Sequence, residues 1–145
     1  MSLLKNVKIT RVANSAVAAQ TDVVGSILDM AGFDGVMFVA LYGDVTDTSA
    51  LQLKAEQNTA NSGTGMAALV GGPAFAAGPT NADNGALVLD VYKPREQFIR
   101  PVLKRGTANA VVDGILAIQY GAASKPTVQS ASVIASAFLN DPNEA

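Results

Sequence analysis

The chain has 145 residues, 49% of them apolar, and contains no histidine, cysteine or tryptophan. Those absences remove the usual general base near neutral pH, the thiolate nucleophile and the commonest soft metal ligands, so the composition points to a non-enzymatic protein without cofactor or metal. Ten Lys and Arg against twelve Asp and Glu leave a net charge of -2, which supplies no basic field for nucleic acid and makes proteins the expected partners.

The length suits a single domain over residues 1–145 with one hydrophobic core. Its apolar stretches fall well short of the roughly 20 residues that a membrane-spanning helix needs. Lys5, Lys8 and Arg11 interrupt any signal-peptide core, so synthesis in a cytoplasm is expected. Without cysteine the fold does not rest on disulfides.

In chain order, a first strand is predicted over residues 5–13. Residues 23–30 and 36–42 read as a hairpin, because Ala31-Gly32-Phe33-Asp34-Gly35 between them carries turn chemistry. The run at 36–42 is apolar on both faces: Val36, Phe38, Ala40 and Tyr42 on one, Met37, Val39 and Leu41 on the other. Such a strand is central and buried on both sides, or covered by a partner on one. A turn at 43–47 leads into residues 49–57, where Leu51, Leu53 and Ala55 alternate with Gln52, Lys54 and Glu56, the pattern of a strand with one wet face.

Residues 58–85 change texture to Asn, Ser, Thr, Gly, Ala and two prolines, and predict a long loop excursion with at most one short strand. Strands resume at 86–93, 97–105 and 110–120, a sequence of three that reads as a meander. Residues 128–139 fit either a last strand or a short helix, with the strand preferred. Seven or eight short strands without interleaved helices define an all-β domain, a sandwich or a barrel. The ends, 1–5 and 141–145, are expected to be mobile.

Each candidate for chemistry lacks a part. Ser2-Leu3-Leu4-Lys5 has the spacing of a Ser-x-x-Lys pair but no companion motif. Gly63-Thr64-Gly65 and Gly71-Gly72-Pro73 do not lead into a helix carrying the Lys and hydroxyl residue of a phosphate loop. Asp44 with Asp47, and Asn81, Asp83 and Asn84, lack calcium-loop spacing and suit turns. Lys93, Arg95, Arg100, Lys104 and Arg105 are the stronger signal, five of ten basic residues within thirteen positions. They read either as protection of an edge strand, with Pro101, or as a docking surface for an acidic protein.

Two phrases, Asp29-Met-Ala-Gly-Phe-Asp-Gly-Val-Met-Phe at 29–38 and Leu89-Asp-Val-Tyr-Lys-Pro-Arg at 89–95, with Arg100 and the strand at 110–120, resemble small virion proteins encoded among the head genes of tailed bacteriophages and prophages. The resemblance covers about half the chain and leaves out the 58–85 excursion. It implies a capsid decoration or cement protein on the exterior of the virion, jelly-roll-like, bound to the major capsid protein and assembled as a homo-oligomer, with a trimer favoured. In that reading Phe38 and Tyr42, on the strand at 36–42, belong to the subunit core or trimer seam, and the segment 93–105 orients the protein on the shell. Two rivals are a head-tail connector or tail-tube protein that forms rings, served by the 58–85 loop, and a carbohydrate-binding β-sandwich, for which only eight Phe and Tyr are available as stacking platforms.

Overall fold

A computed structural model describes residues 2–144, so Met1 and Ala145, the outermost residues of the two ends expected to be mobile, lie outside the described residues. Eleven strand segments make two antiparallel sheets, and among the described residues there is no helix long and apolar enough to cross a membrane. Sheet A holds β1 (Lys8–Ala13), β2 (Ala16–Ala19), β5 (Gly35–Val45), β9 (Ala86–Tyr92) and β11 (Ala110–Tyr120). Sheet B holds β3 (Val23–Val24), β4 (Leu28–Asp29), β6 (Ala50–Asn58), β7 (Ala67–Ala68), β8 (Ala74–Ala76) and β10 (Phe98–Gly106).

Pairing is nested: β6 with β7 and β8, β5 with β9, β10 with β3 and β4, and β11 with β1 and β2. Such a set describes one long antiparallel ribbon folded at its tip near residues 59–66. Rolling the ribbon brings β5 against β11 and β6 against β10, which closes two sheets in the orders β1-β11-β5-β9 and β3-β10-β6-β7. This is jelly-roll connectivity, a sandwich of two Greek keys. The segment count exceeds seven or eight because three positions are interrupted, at Asn14-Ser15, at 25–27 and at 69–73.

Alternation decides which side chains meet between the sheets. Val36, Phe38, Ala40 and Tyr42 from β5, with Val112, Ile115 and Ala117 from β11, face Leu51, Leu53 and Ala55 from β6 and Ile99 and Leu103 from β10. Leu87, Leu89 and Val91 of β9 pack against the same core.

Two expected connections are corrected. Residues 23–30 do not form a hairpin with 36–42; β3 and β4 pair with β10 in sheet B, and the chain then crosses to sheet A. Asp29 Oδ1 accepts from Ala31 N at 2.9 Å and Gln119 Nε2 donates to Asp29 O at 2.9 Å, so the turn residues build an arch between layers. Nor do β9, β10 and β11 form a meander, since β10 lies in the opposite sheet. The same glycines and aspartates serve an arch or a hairpin, and only burial of Leu28 and Met30 between the layers selects the former.

The 58–85 excursion carries two short strands and is folded along β6. Between β7 and β8, Leu69 N donates to Ala55 O at 2.8 Å and Leu53 N to Pro73 O at 3.0 Å. Gly72, at φ +123°, brings its backbone so close to Leu53 O that a β-carbon would collide with it. Residues 128–139 form neither strand nor helix. The segment after β11 instead runs beside β1, where Gln129 Oε1 accepts from Ile9 N at 2.7 Å and Ser132 Oγ from Arg11 N at 2.9 Å. Residues 2–5 are held as well: Asn6 Nδ2 donates to Ser2 O at 2.8 Å and Thr127 N to Lys5 O at 3.0 Å.

Gly72→Ala is expected to destabilise the protein by about 2–4 kcal/mol, because a positive φ and a clash with backbone act together. Denaturant unfolding measures it, and a loss below 1 kcal/mol, on the order of an ordinary surface change, would contradict the close approach.

Candidate functional site

The outward faces of the two sheets differ in how they place charge. On sheet B, Arg100 lies opposite Glu56, with Nη2 and Nε both 2.8 Å from Glu56 Oε2, and Gln52, Lys54 and Lys104 share that face. Lys104 Nζ reaches Asp22 Oδ2 at 3.3 Å. Sheet B alternates charged side chains with apolar ones on this face, as Phe98, Arg100, Val102 and Lys104 along β10, with Val24, 51% exposed, beside Val102.

Sheet A does not. Phase alternation turns Met37, Val39 and Leu41 of β5, Leu116 and Ile118 of β11, and Val88 of β9 away from the core. Register aligns Leu116, Val39 and Val88 across three strands, and Ile118 beside Met37 with Ile9 of β1 on its other side. Leu41 is 39% exposed and Val88 49%. These side chains form an apolar band across the middle of the outer face of sheet A.

At one end the band is closed by aromatic residues. Gly35 has no side chain, and the Tyr120 ring lies over it, with its Oη 2.6 Å from Asp90 Oδ1. Burial, then the hydrogen bond to Asp90 and the charge of that carboxylate, push the Tyr120 phenol up to about 12. Tyr92, 61% exposed, stands at the same end of β9. Lys93 Nζ sits over the Tyr92 ring at 5.4 Å.

The five basic residues do not form one patch. Arg100 and Lys104 are in ion pairs on sheet B. Arg105 is 4% exposed and points inward, where Nη1 donates to Val17 O at 2.6 Å and Ala110 O at 2.7 Å, and Nε to Thr21 O at 2.7 Å. It latches sheet B to β2 and β11 of sheet A and is unavailable to a partner. Only Lys93 and Arg95 are exposed without an acidic partner among the described residues, both in the turn between β9 and β10.

Phe38 and Tyr42 also require correction as interface candidates: both are buried in the sandwich. Burial raises the Tyr42 phenol well above its ordinary value, against a smaller opposing effect of Arg105. The outward residues of the same strand, Met37, Val39 and Leu41, are those that the two-sided apolar pattern already singled out.

The carboxylates and amides weighed as ligands work as turn pins. Asp83 Oδ1 accepts from Val45 N at 2.9 Å, and Asn81 Oδ1 from Gly78 N at 2.6 Å. No group of three or more His, Cys, Asp and Glu suited to a metal occurs among the described residues. A small crevice of about 130 Å³ opens between the layers, lined by Tyr42, Leu51, Phe75 and Leu87.

The fold is a jelly-roll sandwich whose sheet A carries an apolar band on its outer face. Compared with known protein families and with curated proteins, the chain matches none.

Arg105→Ala is expected to lower stability by about 2–4 kcal/mol, since buried carbonyls lose their donors, while Arg95→Ala leaves it within about 0.5 kcal/mol. Equal effects in chemical unfolding would contradict the assignment of Arg105 as a latch. The Tyr120 phenol, raised in the folded state, favours the neutral form, so its contribution is complete below pH 10.0 and is lost as the pH rises toward about 12. Tyr120→Phe is expected to flatten that alkaline decline, followed by thermal melting at stepped pH; an unchanged slope would contradict it.

Proposed function

We propose that this protein is a non-enzymatic structural component of a tailed-phage virion, a decoration or cement protein that braces the exterior of the mature head. The apolar outer face of sheet A, centred on Val39, Leu116 and Ile118, carries the reading. A face of this kind on an otherwise solvated sandwich belongs against another protein. The resemblance of residues 29–38 and 89–95 to phage head proteins supplies the identity of that partner, the major capsid protein.

In this reading the protein works by linkage. Contacts that exist only on the mature lattice add interface free energy to that state and none to the unexpanded or disrupted shell, so binding shifts the equilibrium toward the intact head. Area drives attachment while Lys93 and Arg95, exposed cations of the turn between β9 and β10, orient it. Arg100, Lys104 and Arg105 are occupied within the chain and take no part. The ring-forming connector requires a projecting loop, whereas residues 58–85 lie along β6.

Quantitative mass spectrometry of particles purified from the producing host tests the reading. About one copy per capsid subunit is expected; a ring's worth of copies per particle would assign the protein to the connector, and absence from particles would overturn the virion role. Val39→Glu with Ile118→Glu is expected to remove the protein from heads while its melting curve stays close to the parent's. Full retention on heads would contradict docking through sheet A.

A further inference from the structure

Three of the four sheet edges are closed or broken. In sheet B, one edge consists of β3 and β4, two residues each, and the other of β7 and β8, two and three residues. In sheet A, the β1 edge is covered by Gln129 and Ser132. The β9 edge is different, running seven residues with no glycine or proline. Lys93 N donates to Asp34 O and Gly85 O accepts from Tyr42 N, so odd-numbered positions face β5. The N–H and C=O groups of Ala86, Val88, Asp90 and Tyr92 therefore point out of the sheet. An uninterrupted edge of this length, without a backbone partner among the described residues, is a template for one more strand.

A matching strand exists in the same sequence. Beyond Val133 the chain makes no hydrogen bond among the described residues, yet Ile134 is 98% and Leu139 71% exposed. Phe138 is 46% exposed, and the Lys5 ammonium lies 5.2 Å from its ring centroid, a weak contact that is readily exchanged. The stretch Val133-Ile-Ala-Ser-Ala-Phe-Leu139 has strand composition and no strand partner.

We propose that residues 133–139 of one copy pair with the β9 edge of a second copy, adding a strand to its sheet A. The arm cannot serve its own β9: Ser132 anchors it at β1, three strand spacings or about 14 Å from β9. Charge selects the direction. Parallel addition, with Val133 beside Ala86 and Leu139 beside Tyr92, sets Asp141 between Lys93 and Arg95 of the neighbour; antiparallel addition sends Asp141 and Glu144 toward Asp83. The contact joins the β1 side of one copy to the β9 side of the next, a head-to-tail interface that closes into a ring when the rotation permits. The inference stands or falls on the isolated protein, independently of any virion role.

Sedimentation of the purified chain at high micromolar concentration tests it. The full chain is expected to run as a closed oligomer, and both the variant lacking residues 133–145 and Val88→Pro as monomers. Proline at position 88 removes a donor that points outward, so the fold tolerates it. An oligomer retained by either variant, or a monomeric full chain, overturns the proposal. The absence of native cysteine allows a second readout. Under mild oxidation Ala135→Cys chains mixed with Val88→Cys chains are expected to form a disulfide-linked pair well above the yield with Ala68→Cys chains, whose cysteine lies on the opposite sheet. Equal yields overturn the arm-to-edge contact.

Discussion

The pairing of β5 with β11 is the constraint on which the remaining structure depends. These are the two longest strands, eleven residues each, and they lie far apart in sequence. Their union turns a folded ribbon into a closed sandwich, because β5 already pairs with β9, and β11 with β1 and β2. Two irregularities tune it. Asp113 is extra on β11 and a compensating extra residue falls on β5 near Gly43, so both strands change phase together. Tyr42 and Val112 face inward on one side of the bulge, while Val45 and Ala110 face inward beyond it. Bulges of this kind bend and twist a sheet, which lets it follow a curved partner layer.

Burial on one side of β5 and β11 leaves apolar side chains on the other. A sheet in water commonly alternates apolar and polar faces, and β6 obeys that rule, with Gln52, Lys54 and Glu56 outside and Leu51, Leu53 and Ala55 within, while β10 adds Phe98 and Val102 to the outside beside Arg100 and Lys104. Sheet A departs from it at Met37, Val39, Leu116 and Ile118. Nothing in the folding of the isolated sandwich requires those four side chains to be apolar, and their alignment across neighbouring strands concentrates them. The departure gathers half-buried apolar side chains side by side on the outer layer of sheet A, where covering them would remove further area from water.

The basic cluster shows how adjacency in sequence misleads. Along β10, Arg100 and Lys104 point to solvent, where carboxylates of β6 and the β2–β3 turn meet them, while Arg105 turns inward and is taken up by carbonyls. A cation inside an apolar core is tolerable only with its donors satisfied, and the backbone of β2 and β11 supplies the acceptors. Lys93 and Arg95 lie in a separate turn and keep their charges free.

Much of this protein is legible without coordinates. The all-β class follows from alternation at 49–57 and the absence of helical periodicity, and β5, β6, β9, β10 and β11 fall close to their expected positions because strand pattern and turn residues are local properties. The two-sided apolar character of residues 36–42 is likewise readable, while its division between the layers is not: Phe38 and Tyr42 face the core, and Met37, Val39 and Leu41 face outward. Which layer each strand joins was not readable. A turn containing Gly and Asp serves a hairpin or an arch equally well, and the choice between them is made by burial of distant residues such as Leu28, Met30 and Ile99. The fate of residues 128–139 also lies beyond local pattern, because the β1 edge that Gln129 and Ser132 cover is created only once the ribbon has rolled up. Strands and their apolar content are local and follow from residue order, whereas the layers, the latch at Arg105 and the apolar outer band of sheet A depend on contacts between residues far apart in the chain and arise only when it folds.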